Sequence, residues 1–138
     1  MKTLYTTRVT ARGGREGNVT SSDGVVALAL SLPKELGGPG GSGTNPEQLF
    51  AGGYAACFES ALRHVARSQK KVLGTTHIVA QVSLGQIDDG NFQLAVELRG
   101  HIEGLSTEET RALMEQAHQV CPYSRATRGN IEVSLIAE

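Results

Sequence analysis

The sequence contains 138 residues, of which 39% are hydrophobic, and its 13 basic and 14 acidic residues give a net charge of −1. This length predicts one domain over residues 1–138 with a single hydrophobic core. Because the charges are balanced and spread along the chain, a nucleic-acid or membrane-surface function is disfavoured. No apolar run is long enough to span a bilayer and the start lacks a signal-peptide pattern, so we expect a cytoplasmic protein.

The first third of the chain predicts an antiparallel meander of three short strands. Segments rich in β-branched or alternating apolar residues place these strands at residues 4–11, 19–21 and 25–32, with glycine-containing turns between them. Arg15 lies in the first of these turns. An arginine at such a position is usually solvated, although its guanidinium can also hold an anion.

Residues 33–44 form a glycine-rich connection to the next element. Within it, residues 38–43 match the pattern G-x-G-x-x-G. Dinucleotide-binding loops of this pattern link a strand tightly to a helix in an alternating βαβ chain, and this context is missing here. The pattern therefore indicates a turn-rich loop.

Residues 45–67 predict a helix around which the remaining elements pack. Asn45 and Pro46 are typical of a helix start, and Glu47 lies in the first turn, where the helix dipole favours an anion. Nearly every side chain from Leu49 to Phe58 is apolar or small. A helix without a polar face is normally buried, so we expect this segment in the core.

Two adjacent glycines, Gly52 and Gly53, predict a break in this helix, since each costs about 1 kcal/mol relative to Ala in a helix interior. We expect a short helix with Glu47, and then a long helix that begins near Gly53 and carries Cys57 in its first turns. Unpaired N–H groups and the positive end of the dipole stabilise a thiolate at such a position. The alternative is an ordinary buried cysteine that packs as a small hydrophobic residue.

A β-hairpin is predicted after the central helix. Residues 75–87 and 92–102 alternate in hydrophobicity, as strands with one buried face do. Residues 88–91 contain Asp, Gly and Asn and supply the turn.

The last third of the chain predicts a second helix and a final strand. Ser106 and Glu109 form a capping box at the start of the helix, and Pro122 ends it immediately after Cys121, which lies on its apolar face. Residues 131–136 then form the last strand. The order β-β-β-α-β-β-α-β indicates an α+β fold with antiparallel sheet.

A homodimer is expected from the burial of the central helix. One small sheet cannot cover a long helix that is apolar on all sides, so a second copy of the chain would complete the burial and share the core. In the alternative interpretation, the last strands wrap around the helix within one chain.

The two cysteines, Cys57 and Cys121, are 64 residues apart and form no Cys-x-x-Cys motif. Both fall on apolar faces of helices that share one core. If they meet, a thiolate can attack an electrophile such as a peroxide O–O bond, and the second thiol can condense with the resulting sulfenic acid to a disulfide. This cycle needs a cation for the thiolate, a carboxylate to orient that cation and an external thiol as reductant. Arg15 and Glu47 are the candidates for the cation and the carboxylate.

Apolar side chains near Cys57 favour a carbon-bearing substrate over a small hydrophilic one; they are Leu49, Phe50, Tyr54 and Phe58. The four histidines have no metal-ligand spacing, so we expect no metal site. Two other functions stay open at this point. One is a hydrolase that pairs a cysteine with a histidine such as His118, and the other is a redox sensor in which a disulfide changes partner binding.

Four motifs resemble those of the OsmC/Ohr family, in its organic hydroperoxide resistance branch. They are GTNPEQLFA at residues 43–51, GYAACF at 53–58, the pair AH at 117–118 with CPYS at 121–124, and ATRGN at 126–130. The match extends over essentially the whole chain, and both cysteine motifs are long and specific.

This resemblance implies a thiol-dependent peroxidase that reduces organic and lipid hydroperoxides to alcohols. Cys57 matches the peroxidatic cysteine and Cys121 the resolving cysteine, with a disulfide between them as intermediate. Arg15 and Glu47 match the pair that holds and activates the thiolate. The resemblance also implies antiparallel sheets wrapped around two long central helices in an intertwined homodimer. It further implies that no cofactor is bound and that the external reductant is dihydrolipoamide or a lipoylated protein.

Overall fold

The computed structural model describes residues 1–138 and divides the chain into two compact units, Met1–Leu49 and Phe50–Glu138. Each unit contains a three-stranded sheet. The strands and helices in chain order are β1 (Val9–Arg12), β2 (Asn18–Ser21), β3 (Ala27–Ala29), α1 (Pro46–Ser68), β4 (Thr76–Gln86), β5 (Phe92–Ile102), α2 (Thr107–Val120), α3 (Pro122–Thr127) and β6 (Val133–Ala137). None of the helices is sufficiently long and apolar to cross a membrane. The expected single domain over residues 1–138 stays a prediction.

The first unit is the antiparallel meander expected from the sequence, in the order β1-β2-β3. Its outer strands are shorter than predicted. β1 begins at Val9, which pairs with Ser21 at the end of β2, so residues 4–8 have no neighbouring strand in the chain. Leu4 and Tyr5 are accordingly exposed. Strand propensity alone does not make a strand when the ladder offers no partner.

The second unit is built on the predicted hairpin of β4 and β5, whose residues pair in register from Thr76 and Ile102 to Gln86 and Phe92. The predicted α+β fold with antiparallel strand pairing is confirmed for β4 and β5, but the last strand differs, because β6 pairs with β5 in parallel. The two helices between β5 and β6 return the chain to the end of the sheet where β5 began, and a parallel pair requires such a connection. The predicted capping box at Ser106 and Glu109 is present at the start of α2.

One continuous helix, α1, replaces the two helices expected around Gly52 and Gly53. Asn45 caps it by accepting a hydrogen bond of 2.9 Å from the backbone N–H of Gln48. The glycine pair does not end the helix because tertiary packing outweighs its propensity cost of about 2 kcal/mol. The buried side chains Tyr54 and Phe58 follow directly and hold the helix in the core.

The core of the second unit lies between α1, β5 and α2. Its members are fully or nearly fully buried and include Tyr54, Phe58, Leu62, Val96, Leu98, Ile102, Leu113, Met114, Ala117 and Cys121. α3 was not predicted, since Pro122 was interpreted only as the end of the second helix. Pro122 does end α2, but it also occupies the first position of α3, where its missing N–H costs nothing.

Candidate active site

The two cysteines lie side by side in the second unit, so the condition for the oxidation cycle considered from the sequence is met. Cys121 Sγ is 3.7 Å from Cys57 Sγ, and both are free thiols. Cys121 joins α2 to α3 and is fully buried, whereas Cys57 lies in the middle of α1 and is half-buried. The more accessible thiol is therefore Cys57, and Cys121 lies directly behind it.

The electrostatic surroundings of Cys57 differ from the expected helix start. Because α1 is continuous, Cys57 has no unpaired N–H groups of its own helix around it, and that part of the prediction is wrong. The backbone N–H of Tyr123, at the second position of α3, acts on the sulfur instead and lowers the pKa of Cys57. Burial is the larger effect and raises this pKa, and the neighbouring Cys121 raises it further.

Arg15 and Glu47 form a bidentate ion pair in the first unit. Arg15 Nη1 and Nη2 each donate a hydrogen bond of 2.7 Å to one of the two carboxylate oxygens of Glu47. The hydrogen bonds from Arg15 hold the pKa of Glu47 below its usual range. Such a pair fixes the orientation of the guanidinium as well as the charge of the carboxylate.

Local sequence explains how the two partners of this ion pair are placed. Arg15 lies in the single 3-10 turn Gly14–Glu16 between β1 and β2. This turn needs glycine, because Gly13 and Gly14 adopt φ values of 74° and 55° that other residues rarely accept. Glu47 lies in the first turn of α1, where the helix dipole favours its negative charge.

A buried hydrogen-bond network, which sequence reasoning missed, joins all three helices of the second unit. Tyr54 Oη is 2.9 Å from Ser124 Oγ and 3.2 Å from Thr127 Oγ1, and His118 Nδ1 is 2.8 Å from Ser124 Oγ. Tyr54 and Ser124 are fully buried. Cys121 lies between His118 and Ser124 in the chain, so the network holds this cysteine in place. Pro122 was the available sequence signal, because proline is common at the first position of a helix. The helix that begins there brings Ser124 within hydrogen-bond distance of Tyr54.

His118 is engaged by this network. Its Nδ1 faces the Ser124 hydroxyl, and burial together with the nearby Arg128 guanidinium lowers the pKa of the ring. A hydrolase site requires a histidine that hydrogen-bonds the nucleophilic thiol. His118 therefore serves as a partner of Ser124 in this structure.

An apolar cavity of about 570 Å³ opens on the second unit. Its lining is mostly aromatic and aliphatic, with three polar side chains, and consists of Phe50, Phe92, Gln93, Leu94, Tyr123, Ala126, Thr127, Asn130 and Ile131. Among the four side chains expected to contact a substrate, Phe50 lines this cavity. Tyr54 and Phe58 are fully buried, and Tyr54 packs against the rings of Phe50 and Tyr123 from within the core. Leu49 is half-buried and belongs to the first unit.

Comparison with known proteins gives a consistent result. A family model described as "OsmC-like protein" matches residues 38–136. An organic hydroperoxide resistance protein of Xanthomonas axonopodis pv. citri (strain 306) is 55% identical over 135 residues, which cover 97% of this chain and 94% of that protein.

Solved structures agree with the sequence relatives. The crystal structure of an organic hydroperoxide resistance protein from Legionella pneumophila superimposes with a TM-score of 0.94 at 53% identity and 99% coverage of both chains. That of an organic hydroperoxide resistance protein from Elizabethkingia anophelis has a TM-score of 0.93 at 54% identity, covering 100% of this chain and 99% of that one.

The fold and the site define an α+β protein built around two adjacent free thiols, one of them half-exposed on a central helix. Together with the family match and the full-length relatives, this establishes the affiliation. The chain belongs to the OsmC/Ohr family, in its organic hydroperoxide resistance branch.

Proposed function

We propose that the protein is a thiol-dependent peroxidase that reduces organic hydroperoxides to alcohols. The observation that carries this proposal is the 3.7 Å separation of the Cys57 and Cys121 sulfur atoms, in a chain whose relatives are named organic hydroperoxide resistance proteins. A half-exposed thiol with a second thiol directly behind it is the arrangement that an oxidation and resolution cycle requires.

The first step oxidises Cys57. Its thiolate attacks one oxygen of the hydroperoxide, the O–O bond breaks, and the released alkoxide takes up a proton to become the alcohol. Cys57 is left as a sulfenic acid. The Cys121 thiol then gives up its proton as its sulfur attacks the Cys57 sulfur. An S–S bond forms, the S–O bond breaks, and the hydroxyl group leaves with that proton as water. Since an S–S bond is about 2.05 Å long, the two sulfur atoms approach each other by about 1.7 Å from their present separation.

Arg15 is proposed as the cation that keeps Cys57 ionised, with Glu47 as the carboxylate that orients it. Support comes from two observations. Burial raises the pKa of Cys57, so the thiolate needs a positive partner at pH 7. The guanidinium of Arg15 is charged at any working pH and is fixed by two hydrogen bonds to Glu47.

The substrate class is inferred from the apolar cavity of the second unit, whose wall includes Tyr123, the residue whose backbone N–H acts on the Cys57 sulfur. A cavity lined by Phe50, Phe92 and Ile131 suits the alkyl chain of a lipid or aromatic hydroperoxide better than hydrogen peroxide. Leu49, Tyr54 and Phe58 are proposed to complete the apolar surroundings, Tyr54 and Phe58 as the buried support of the cavity wall.

The remaining proposals concern partners and location. The family affiliation supports a lipoyl dithiol, free or protein-bound, as the reductant that reopens the disulfide by thiol–disulfide exchange. An intertwined homodimer is supported by the large exposed apolar side chains of Leu4, Tyr5 and Val25, which a second copy would cover. A cytoplasmic location fits two cysteines that must be reduced in each cycle.

Steady-state turnover tests the activity. Cumene hydroperoxide consumption is measured with dihydrolipoamide, with glutathione and without thiol, and Cys57→Ser is the control. We expect turnover only with the dithiol and only with Cys57 present. A Cys121→Ser variant that keeps full dithiol-supported turnover would contradict the disulfide mechanism, and wild-type consumption no faster than that of Cys57→Ser would contradict the peroxidase function.

A further inference from the structure

The ring of Tyr123 occupies the space that a side chain at position 53 would need. An ideal Cβ on Gly53 would lie 3.0 Å from Tyr123 Oη, 3.3 Å from Cε2 and 3.4 Å from Cζ. Carbon atoms in good contact are about 3.5–4.0 Å apart, so a methyl group here forces the phenol end of the ring to move. Glycine at position 53 allows the ring to rest on the backbone of α1 without this displacement.

This contact lies one helical turn from Cys57. Residues four apart share a face of an α-helix, so Gly53 and Cys57 lie on the same side of α1. The backbone N–H of Tyr123 acts on the Cys57 sulfur, while the ring of the same residue reaches back to Gly53. Tyr123 therefore extends along the turn of α1 that leads to the thiol.

The same ring forms part of the wall of the apolar cavity. Tyr123 lines the cavity together with Phe50, whose ring centroid is 6.3 Å away. On the core side, the fully buried ring of Tyr54 lies 5.7 Å from Tyr123 and supports it. Tyr123 itself is 40% exposed. Any displacement of this ring therefore changes the shape of the cavity.

We propose that Tyr123 is a substrate-positioning residue and that Gly53 is a specificity-determining residue for bulky hydroperoxides. The bare backbone at position 53 keeps the Tyr123 ring against α1, and this leaves room in the cavity for a large alkyl or aryl group. The inference rests on the peroxidase function proposed above. A methyl group at position 53 moves the ring away from α1 into volume that a large substrate needs, whereas a compact substrate loses little.

The neighbouring glycine supplies a matched control. Gly52→Ala and Gly53→Ala both add one methyl group to an interior position of α1, but a Cβ on Gly52 meets nothing within 4 Å. The measurement is kcat/KM for cumene hydroperoxide and for tert-butyl hydroperoxide with dihydrolipoamide. We expect the cumene to tert-butyl ratio to fall about fivefold to tenfold in Gly53→Ala and to stay within about twofold in Gly52→Ala. Equal ratios in the two variants would overturn the proposal.

A double variant assigns the effect to Tyr123. In Gly53→Ala with Tyr123→Phe, the atom closest to the new methyl group is gone and the next contact is 3.3 Å. Because ring carbons stay at 3.3 and 3.4 Å, we expect this variant to recover part of the cumene to tert-butyl ratio relative to Gly53→Ala, with Tyr123→Phe alone as reference. A double variant as poor as Gly53→Ala would show that the methyl group acts through some other contact.

A readout without hydroperoxide separates this inference from the proposed function. Cys57 is alkylated with N-methylmaleimide and with N-phenylmaleimide, in a Cys121→Ser background so that one thiol reacts. We expect the phenyl to methyl rate ratio to fall about fivefold in Gly53→Ala but not in Gly52→Ala. If the wild-type protein consumed no hydroperoxide, the proposed peroxidase function would be wrong. The phenyl to methyl rate ratio would still test the role of Gly53 and Tyr123. An unchanged ratio in Gly53→Ala would overturn that role.

Discussion

The hydroxyl group of Tyr54 is expected to stabilise the fold through the network that holds Cys121. In Tyr54→Phe, two hydrogen bonds are lost, at 2.9 Å to Ser124 and 3.2 Å to Thr127. Neither partner is left alone, because Ser124 keeps His118 Nδ1 and Thr127 keeps the carbonyl oxygen of Tyr123. A net buried hydrogen bond contributes about 1 kcal/mol, so we expect the free energy of unfolding to fall by about 1–2 kcal/mol.

Urea denaturation of the reduced protein at fixed concentration measures this change. Tyr5→Phe is the control, because this exposed hydroxyl should contribute less than about 0.5 kcal/mol. Ser124→Ala removes the shared partner of Tyr54 and His118 and should cost more, about 2–3 kcal/mol, since His118 Nδ1 then loses its hydrogen-bond partner. A Tyr54→Phe variant as stable as Tyr5→Phe would refute the argument that the network fixes the α2 to α3 junction.

Three further outcomes follow from single residues. Gly52→Ala should raise the free energy of unfolding by about 0.5–1 kcal/mol in the same denaturation assay. The reason is that the new methyl group meets no atom within 4 Å and alanine has a higher helix propensity than glycine. A loss of stability would contradict the open space at this position. Glu47 has a pKa below its ordinary value of 4.5 in the folded protein, so its ion pair stabilises the fold above about pH 4.5 and this contribution disappears as the pH falls through the folded pKa. Stability measured from pH 7 to pH 3 should therefore decrease less in Glu47→Gln than in the wild type, and parallel curves would argue against the pair. Arg15→Ala should shift the pH midpoint of Cys57 alkylation by iodoacetamide upward, because burial raises the pKa of this thiol and the proposed compensating cation is gone. An unchanged midpoint would remove Arg15 from thiol activation.

Local patterns predicted most elements because their signals are short-range. The alternation in β5 gave its bounds, and the capping box at Ser106 and Glu109 gave the start of α2. Two failures are at positions where distant residues decide. Gly53 stays helical because the adjacent Tyr54 and Phe58 are buried in a core completed by later elements, and residues 4–8 are not a strand because β2 ends at Ser21.

The sequence predicted which charged residues and cysteines belong to the candidate site, but not the polar contacts that hold them. The apolar faces of the two helices indicated that Cys57 and Cys121 could meet, and the motif resemblance paired Arg15 with Glu47. The buried partners of Tyr54 were not predictable, since Ser124 and Thr127 are ordinary small polar residues until α3 brings them under the tyrosine ring. The Tyr123 N–H facing Cys57 also depends on α3, a helix of six residues.

The most direct test of the central claim is a single-turnover titration of the reduced protein. One equivalent of cumene hydroperoxide is added, the alcohol is quantified, and the remaining thiols and the linkage are determined by mass spectrometry. We predict one equivalent of alcohol, loss of both free thiols and a Cys57–Cys121 disulfide within one chain. Formation of alcohol with Cys121 still free, or retention of both thiols, would contradict it.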